Sequence, residues 1–223
     1  EVMEEKKGQG VIMEEAFTPL WLNRREFIKL LGGGIFVFFT VGEPWAMLQE
    51  AQRRAERGYP ADFNAYLRIA ADGKVTGFAG KAELGQGPLT SLAQILAEEL
   101  DLSLDRVDMV LGDTALCPWD MGTFGSRTIK YFGPPLRQAA AEAKAVLIEL
   151  AAETLKVPAD KLATKEGFVF EKTNPKNRVS YGDLAKGKTI EKHIDPKPPV
   201  KPASAYLVSG RPAERKDAGL NVT

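Results

Sequence analysis

Glu83-Leu84-Gly85-Gln86-Gly87-Pro88-Leu89-Thr90 reads as a strand, a glycine loop and the start of a helix, and the neighbouring elements follow from it. Pro88 suits a first helical turn, and Leu89, Leu92, Ala93, Leu96 and Leu100 recur at helical spacing. Upstream, Ala65, Leu67 and Ile69 alternate with Tyr66 and Arg68 as in a half-buried strand. Ala71-Asp72-Gly73-Lys74 is a hairpin turn, and Val75 to Ala79 is the return strand. Downstream, Val107 to Leu111 is a short strand, and Pro134-Pro135 opens a long Ala-rich helix from Leu136 to Leu155. Leu162 to Thr164 and Phe168 to Glu171 form another hairpin, and Ser180-Tyr181-Gly182-Asp183-Leu184 caps a short helix. The pattern predicts an α+β fold, a mixed sheet with packed helices and no internal repeat.

Two segments carry candidate chemistry. In the first, Gly85 and Gly87 let a ligand approach the backbone closely, and the helix start presents free N–H groups to an anion. Gln86 adds an amide that both donates and accepts. The loop has no following Gly-Lys-Ser/Thr and no third glycine of the dinucleotide fingerprint, so a plain turn is the competing reading. The second segment runs from Gly112-Asp113-Thr114 through Cys117-Pro118-Trp119-Asp120-Met121 to Gly122-Thr123-Phe124-Gly125-Ser126-Arg127-Thr128. It lies in an irregular stretch of roughly 20 residues, a length uncommon in a compact domain unless functional. Thr123, Ser126 and Thr128 offer hydroxyls, Gly122 and Gly125 open backbone, and Arg127 a cation suited to a phosphate or polar heterocycle. The competing reading is a surface loop with Arg127 solvated.

Composition narrows the chemistry. The 223 residues carry 30 Lys+Arg against 30 Asp+Glu, so nothing basic announces a nucleic-acid partner. One Cys (Cys117) and one His (His193) exclude an internal disulfide, a Cys₄ zinc site and multi-histidine metal sites. Any metal here must bring most of its own ligands. At the amino-terminal side, residues 1–22 are polar and read as flexible. Residues 23–48 begin with Asn23-Arg24-Arg25-Glu26-Phe27-Ile28-Lys29 and continue into an apolar run from Leu30 to Gly42. Roughly 13 apolar residues behind a positive patch match an export signal better than a membrane span. The paired arginines resemble a twin-arginine signal, which predicts a periplasmic protein. A retained membrane anchor and a buried core helix stay open as alternatives. Residues 191–223 are rich in Pro and Lys and read as an extended tail.

Taken together, Glu83 to Gly87, Leu92 to Leu100, Gly112-Asp113-Thr114, Pro118 and Gly122 to Arg127 resemble the large, molybdopterin-binding subunit of the xanthine oxidase family of molybdenum hydroxylases. The nearest likeness is to its exported branch of isoquinoline 1-oxidoreductases and membrane-associated aldehyde dehydrogenases. The resemblance covers residues 62–185 and makes residues 60–190 a part of a molybdopterin-binding domain. It implies molybdenum on a pyranopterin, as the cytosine dinucleotide in bacterial members, and hydroxylation of an aldehyde or N-heterocycle with oxygen from water. It makes Gly85, Gln86 and Gly87 cofactor-binding, with Gln86 hydrogen-bonding near the metal's apical oxo group. Phe124, Gly125, Ser126, Arg127 and Thr128 fall along the pterin and its phosphates. It implies as partners the remainder of the large subunit, a 2Fe–2S subunit, and a cytochrome c or membrane electron acceptor. It assigns no metal ligand to this chain.

The chain also departs from the family pattern. The family's general-base glutamate lies in a Gly-Glu motif with no counterpart here, so no catalytic residue is assigned. The Gly-Gly-x-Phe-Gly pterin segment is missing too. Glu83 belongs to the loop motif and reads as a structural carboxylate; Cys117, one residue before a proline, reads as an inert core thiol. These departures predict a chain that contributes half of a site and is inactive alone. The alternative is a non-catalytic scaffold or anchor subunit with the same fold in a membrane assembly.

Overall fold

The computed structural model describes residues 34–39, 65–120, 122–191 and 198–218. Strands β1 (Gly34–Phe39), β2 (Ala65–Ile69), β3 (Val75–Ala79) and β4 (Val107–Leu111) are joined by the late strand β8 (Thr189–Glu191) in a five-stranded sheet. Its order is β4-β3-β2-β1-β8. The β1–β2 and β2–β3 pairs are antiparallel, whereas β3–β4 and β1–β8 are parallel. The β2–β3 hairpin turns at Gly73, whose φ of 77° is easy for glycine, and the Gly73 N–H donates to the Ala70 carbonyl. Helix α1 (Pro88–Glu99) makes the crossover between parallel β3 and β4. Helix α2 (Gly133–Leu155) packs beside it, and a second sheet, β5 (Leu162–Lys165), β6 (Phe168–Glu171) and β7 (Asn174–Ser180), follows. Ser180 caps the short α3 (Tyr181–Ala185) by accepting the Asp183 N–H.

Both faces of the main sheet are covered. On one, Ile35, Val37, Leu67, Ile69, Val75 and Val107 meet Leu92, Leu96, Leu136, Ala140 and Val146 of the helices. The other is aromatic: Phe36, Phe38, Tyr66 and Phe78 pack together under Cys117. The Tyr66 and Phe78 rings, directly opposite in register, stack with centroids 4.4 Å apart. Tyr66 also donates its hydroxyl to the Leu116 carbonyl, fastening the segment after β4 over this face.

That double burial includes residues that carried another expectation. Gly34–Phe39, placed by the sequence inside the apolar run of an export signal or anchor, forms β1, and Ile35 and Phe36 are fully buried. A strand buried on both faces loses its polar alternation and becomes a short continuous apolar run, which periodicity alone does not separate from a signal core. The remainder of residues 23–48 and the polar stretch 1–22 lie outside the described residues. Among the described residues no helix is long and apolar enough to cross a membrane.

The Pro/Lys-rich end is also built into the fold. Residues 198–218 run back along α1 as a strap. Gln138 and Arg137 donate to the Pro198 and Lys201 carbonyls. The Lys201 ammonium bridges Glu98 (2.8 Å) and Asp101 (2.6 Å). Glu98, 2% exposed, accepts the N–H groups of Leu207, Val208 and Ser209 on one carboxylate oxygen. Burial opposes ionisation of Glu98, but Lys201 and these three donors outweigh it and hold the carboxyl below the usual carboxylate range. Burial likewise opposes the Lys201 ammonium, and Asp101 and Glu98 outweigh it, raising the pKa.

The sign of the pH dependence follows. The contribution of Glu98 is complete above the ordinary glutamate value of about 4.3 and is lost as pH falls through the lower folded value. That of Lys201 is complete below about 10.4 and is lost as pH rises through the higher folded value. Hydrogen exchange at residues 207–209 is therefore expected to be best protected between these limits, after correction for intrinsic rates, and to lose protection toward acid first. Protection unchanged down to pH about 3 would remove Glu98 from this role.

Candidate molybdopterin-binding site

Because β3 and β4 are parallel neighbours, the segments leaving their carboxyl ends emerge at the same edge of the sheet. They lead into the two stretches that the sequence singled out, Glu83 to Thr90 and Gly112 to Thr128. Gly80 marks their crossing. A Cβ there would lie 2.6 Å from the Asp120 Cβ and 2.7 Å from the Pro118 carbonyl, so only glycine allows the approach. Beyond it, the Lys81 ammonium donates to the Asp120 carboxylate (2.7 Å) and the Gly122 carbonyl (2.9 Å). Asp120 in turn accepts the Gly122 N–H, and the Thr123 hydroxyl accepts the Ala82 N–H (2.8 Å). The Lys81 and Asp120 side chains are 9% and 5% exposed, so this is a buried tie between the loops. Sequence reading passed over Lys81 and Asp120; the available signal was a lone charge at a strand exit between Gly80 and Ala82. Thr123, offered as a ligand hydroxyl, is engaged in this tie.

The glycine loop is held from within. Glu83 accepts the N–H groups of Gly85, Gly87 and Leu89, and so does for α1 what a capping side chain normally does. Its reading as a structural carboxylate agrees with this geometry. Gly85 (φ 97°) and Gly87 (φ 84°) occupy left-handed backbone, and a Cβ on either would meet nothing within 4 Å. Open space therefore lies directly against the loop. The Gln86 carbonyl accepts the Leu84 N–H at 2.6 Å, and no described residue takes up its amide NH₂. From the strap, Arg215 donates to the Gly85 carbonyl (2.7 Å) while pairing with Asp217, an arrangement sequence reading also missed. Arg215 and Gly85 lie 130 positions apart, with no local signal.

The second loop starts as a turn in which Asp113 accepts the Ala115 and Leu116 N–H groups. Cys117 is buried, and its thiol donates to the Val110 carbonyl. Burial raises its pKa despite opposing backbone hydrogen bonds, so the reactive thiolate is suppressed. A thiol reagent such as 5,5′-dithiobis-nitrobenzoate is expected to label Cys117 at least about a hundredfold slower in the folded protein than in urea. Comparable rates would contradict the inert reading.

Further along, Gly122 (φ 119°) and Gly125 (φ 61°) open the backbone, and Ser126 sits at φ 54°, a region costly for a residue with a Cβ. Thr128 begins a π-helical turn (Thr128–Phe132) leading into α2; such turns often mark functional positions. No described residue occupies the Ser126 or Thr128 hydroxyls. Arg127 lies over the Phe124 and Tyr131 rings, 5.6 and 5.8 Å from their centroids. Leu84, Phe124, Ile129 and Tyr131 are exposed by 76, 50, 47 and 40%, so apolar side chains face solvent on the two loops and on the turn that follows the second. Among the described residues no three His, Cys, Asp or Glu side chains converge as metal ligands.

The sequence model of the molybdopterin cofactor-binding domain matches residues 22–216. The chain belongs to that family. Its relatives bear this out: a subunit of nicotinate dehydrogenase from Pseudomonas putida is 40% identical over 152 residues, 68% of this chain and 13% of its own length. The beta chain of isoquinoline 1-oxidoreductase from Brevundimonas diminuta is 36% identical over 129 residues, 54% of this chain and 16% of its own. Among solved structures, the CO dehydrogenase of Oligotropha carboxidovorans superposes with a TM-score of 0.49 at 32% identity, over 53% of this chain and 15% of that one. The molybdopterin-binding domain thus places this chain in the xanthine oxidase family, with the expected α+β fold of mixed sheet and packed helices. The chain spans about an eighth to a sixth of the length of these curated relatives.

Proposed function

We propose that this domain forms one wall of the molybdopterin site in a molybdenum hydroxylase acting on an aldehyde or, as the names of two relatives favour, an aromatic N-heterocycle. One observation carries the reading. Two glycine-rich loops leave adjacent parallel strands at one edge, are tied together by a buried ion pair, and turn open backbone and uncommitted polar groups outward.

The donor set fits the group. A pyranopterin with its phosphates offers acceptors for N–H and O–H donors and a flat ring for close backbone approach. The loops present an amide at Gln86, hydroxyls at Ser126 and Thr128, and glycines where a Cβ would intrude on the open space. Bound here, the cofactor would supply its own sulfur ligands and accept two electrons as water-derived oxygen enters the substrate. The chain's own residues bind and orient. Gly85 and Gly87 would admit the cofactor to the backbone, and Gln86 would hold it through its side-chain NH₂. Phe124 and Gly125 would line the pterin, Ser126 and Thr128 would donate to it or its phosphates, and Arg127 would add positive charge beside it. The general base is expected from elsewhere in the complete protein.

The same reading takes the cofactor as the cytosine dinucleotide and the electron route as a 2Fe–2S partner subunit, then a cytochrome c or membrane acceptor. It makes the isolated chain inactive. The same reading takes the protein as exported to the periplasm by the twin-arginine route, on Arg24-Arg25 and the apolar residues that follow them. The test is turnover of an aldehyde and N-heterocycle panel by the assembled complex in water enriched in heavy oxygen. Label in the hydroxylated product is expected; label only from dioxygen, or no turnover from a molybdenum-loaded complex, would overturn the reading.

A further inference from the structure

We propose that Lys81 is a positioning residue, with Asp120 as its anchor, that fixes the spacing of the two glycine-rich loops so that both close on one ligand; this rests on the pterin reading. Lys81 bonds to none of Gln86, Ser126 and Thr128. Its ammonium reaches across 41 positions to the Gly122 carbonyl while paired to Asp120, and Asp120 holds the Gly122 N–H. Gly122 is thus gripped at both its carbonyl and its N–H just before Phe124 to Thr128. Lys81 itself lies just before Glu83, the residue that shapes the Gly85–Gly87 loop. The second tie, Ala82 N–H to the Thr123 hydroxyl, repeats the same register one residue further along both segments. A buried ion pair is a poor source of net stability, since apolar replacements of similar volume often match it. Its directional reach to Gly122 is what an apolar pair does not reproduce.

The experiment separates position from stability in the complete large subunit assembled with its partner subunits. Pterin, read by fluorescence after oxidation, and molybdenum, read by mass spectrometry, are counted per chain beside the thermal midpoint of the cofactor-free protein. Lys81→Met is expected to lower the midpoint and to cut pterin occupancy by about tenfold or more, as loss of a supporting contact behind a bound metal does. The double variant Lys81→Met/Asp120→Leu is expected to regain most of the midpoint while occupancy stays low. Occupancy that recovers with the midpoint, or never falls in the single variant, would overturn the proposal. Thr123→Val keeps the test decisive if the Lys81 variants do not fold. It cuts the second tie without stranding a charge and is expected to cost about fivefold in occupancy, the equivalent of one ordinary hydrogen bond. Unchanged occupancy there would overturn the proposal as well. A wild-type complex that carries no pterin would instead overturn the reading on which this one rests.

Discussion

Glu98→Ala is expected to destabilise the fold by about 3–5 kcal/mol, the usual cost of removing one partner from a buried ion pair. The wild-type carboxylate is 2% exposed and holds the Lys201 ammonium together with three consecutive backbone N–H groups. Alanine takes away one of the two carboxylates on a mostly buried cation and leaves the donors at 207–209 without their acceptor. Lys201 keeps Asp101 at 2.6 Å, which softens the loss but does not replace the three N–H bonds. Against a typical total of about 5–15 kcal/mol, that change decides whether the protein is folded at growth temperature. Urea unfolding followed by circular dichroism measures it. A midpoint within experimental error of wild type would mean that the strap contributes nothing to the fold. Glu98→Gln is expected to fall between the two, since its amide oxygen still accepts from the backbone but carries no charge for Lys201.

Glu83→Ala tests the loop instead of the core. Its carboxylate accepts three N–H groups, from Gly85, Gly87 and Leu89, and lies 3.6 Å from Arg215. Charged acceptors of this kind are worth about 1.5–3 kcal/mol each when buried. Gly85 is exposed, however, so water replaces part of the loss and the global cost is expected near ~2 kcal/mol. The larger effect is local. Without Glu83 the N–H groups of Gly85, Gly87 and Leu89 lose their acceptor, and amide exchange across 85–89 should accelerate while the strands keep their protection. In the complete protein, pterin occupancy should fall by about tenfold or more. Unchanged exchange at 85–89 would show that the loop holds its shape unaided.

What the sequence made legible was local. The β2–β3 hairpin could be read because Gly73 and its flanking alternation lie within a few residues, and α1 because Pro88 starts it and leucines repeat along it. The two loops stood out by their glycines and hydroxyls, and the structure brings them to one sheet edge. Three features were not legible, each for a physical reason. Burial on both faces erased the alternation of β1, so no period announced a strand at Gly34–Phe39. Strand β7, Asn174–Ser180, lies at the edge of a small sheet with its first three residues exposed, and Asn-Pro-Lys-Asn-Arg carries no apolar signal at all. The ties that set the site, Lys81 to Asp120 and Gly122 and Arg215 to Gly85, join residues 39 to 130 positions apart. No window along the chain contains both ends of such a contact.

The central claim is that the loops at Gly85–Gly87 and Phe124–Thr128 together hold molybdopterin. A cryo-electron-microscopy map of the complete, cofactor-loaded complex tests it most directly. The account predicts pterin density between the two loops, with the Gln86 amide and the Ser126 and Thr128 hydroxyls within hydrogen-bond distance of the cofactor. Density for the pterin at another place, with both loops packed only against protein, would contradict it.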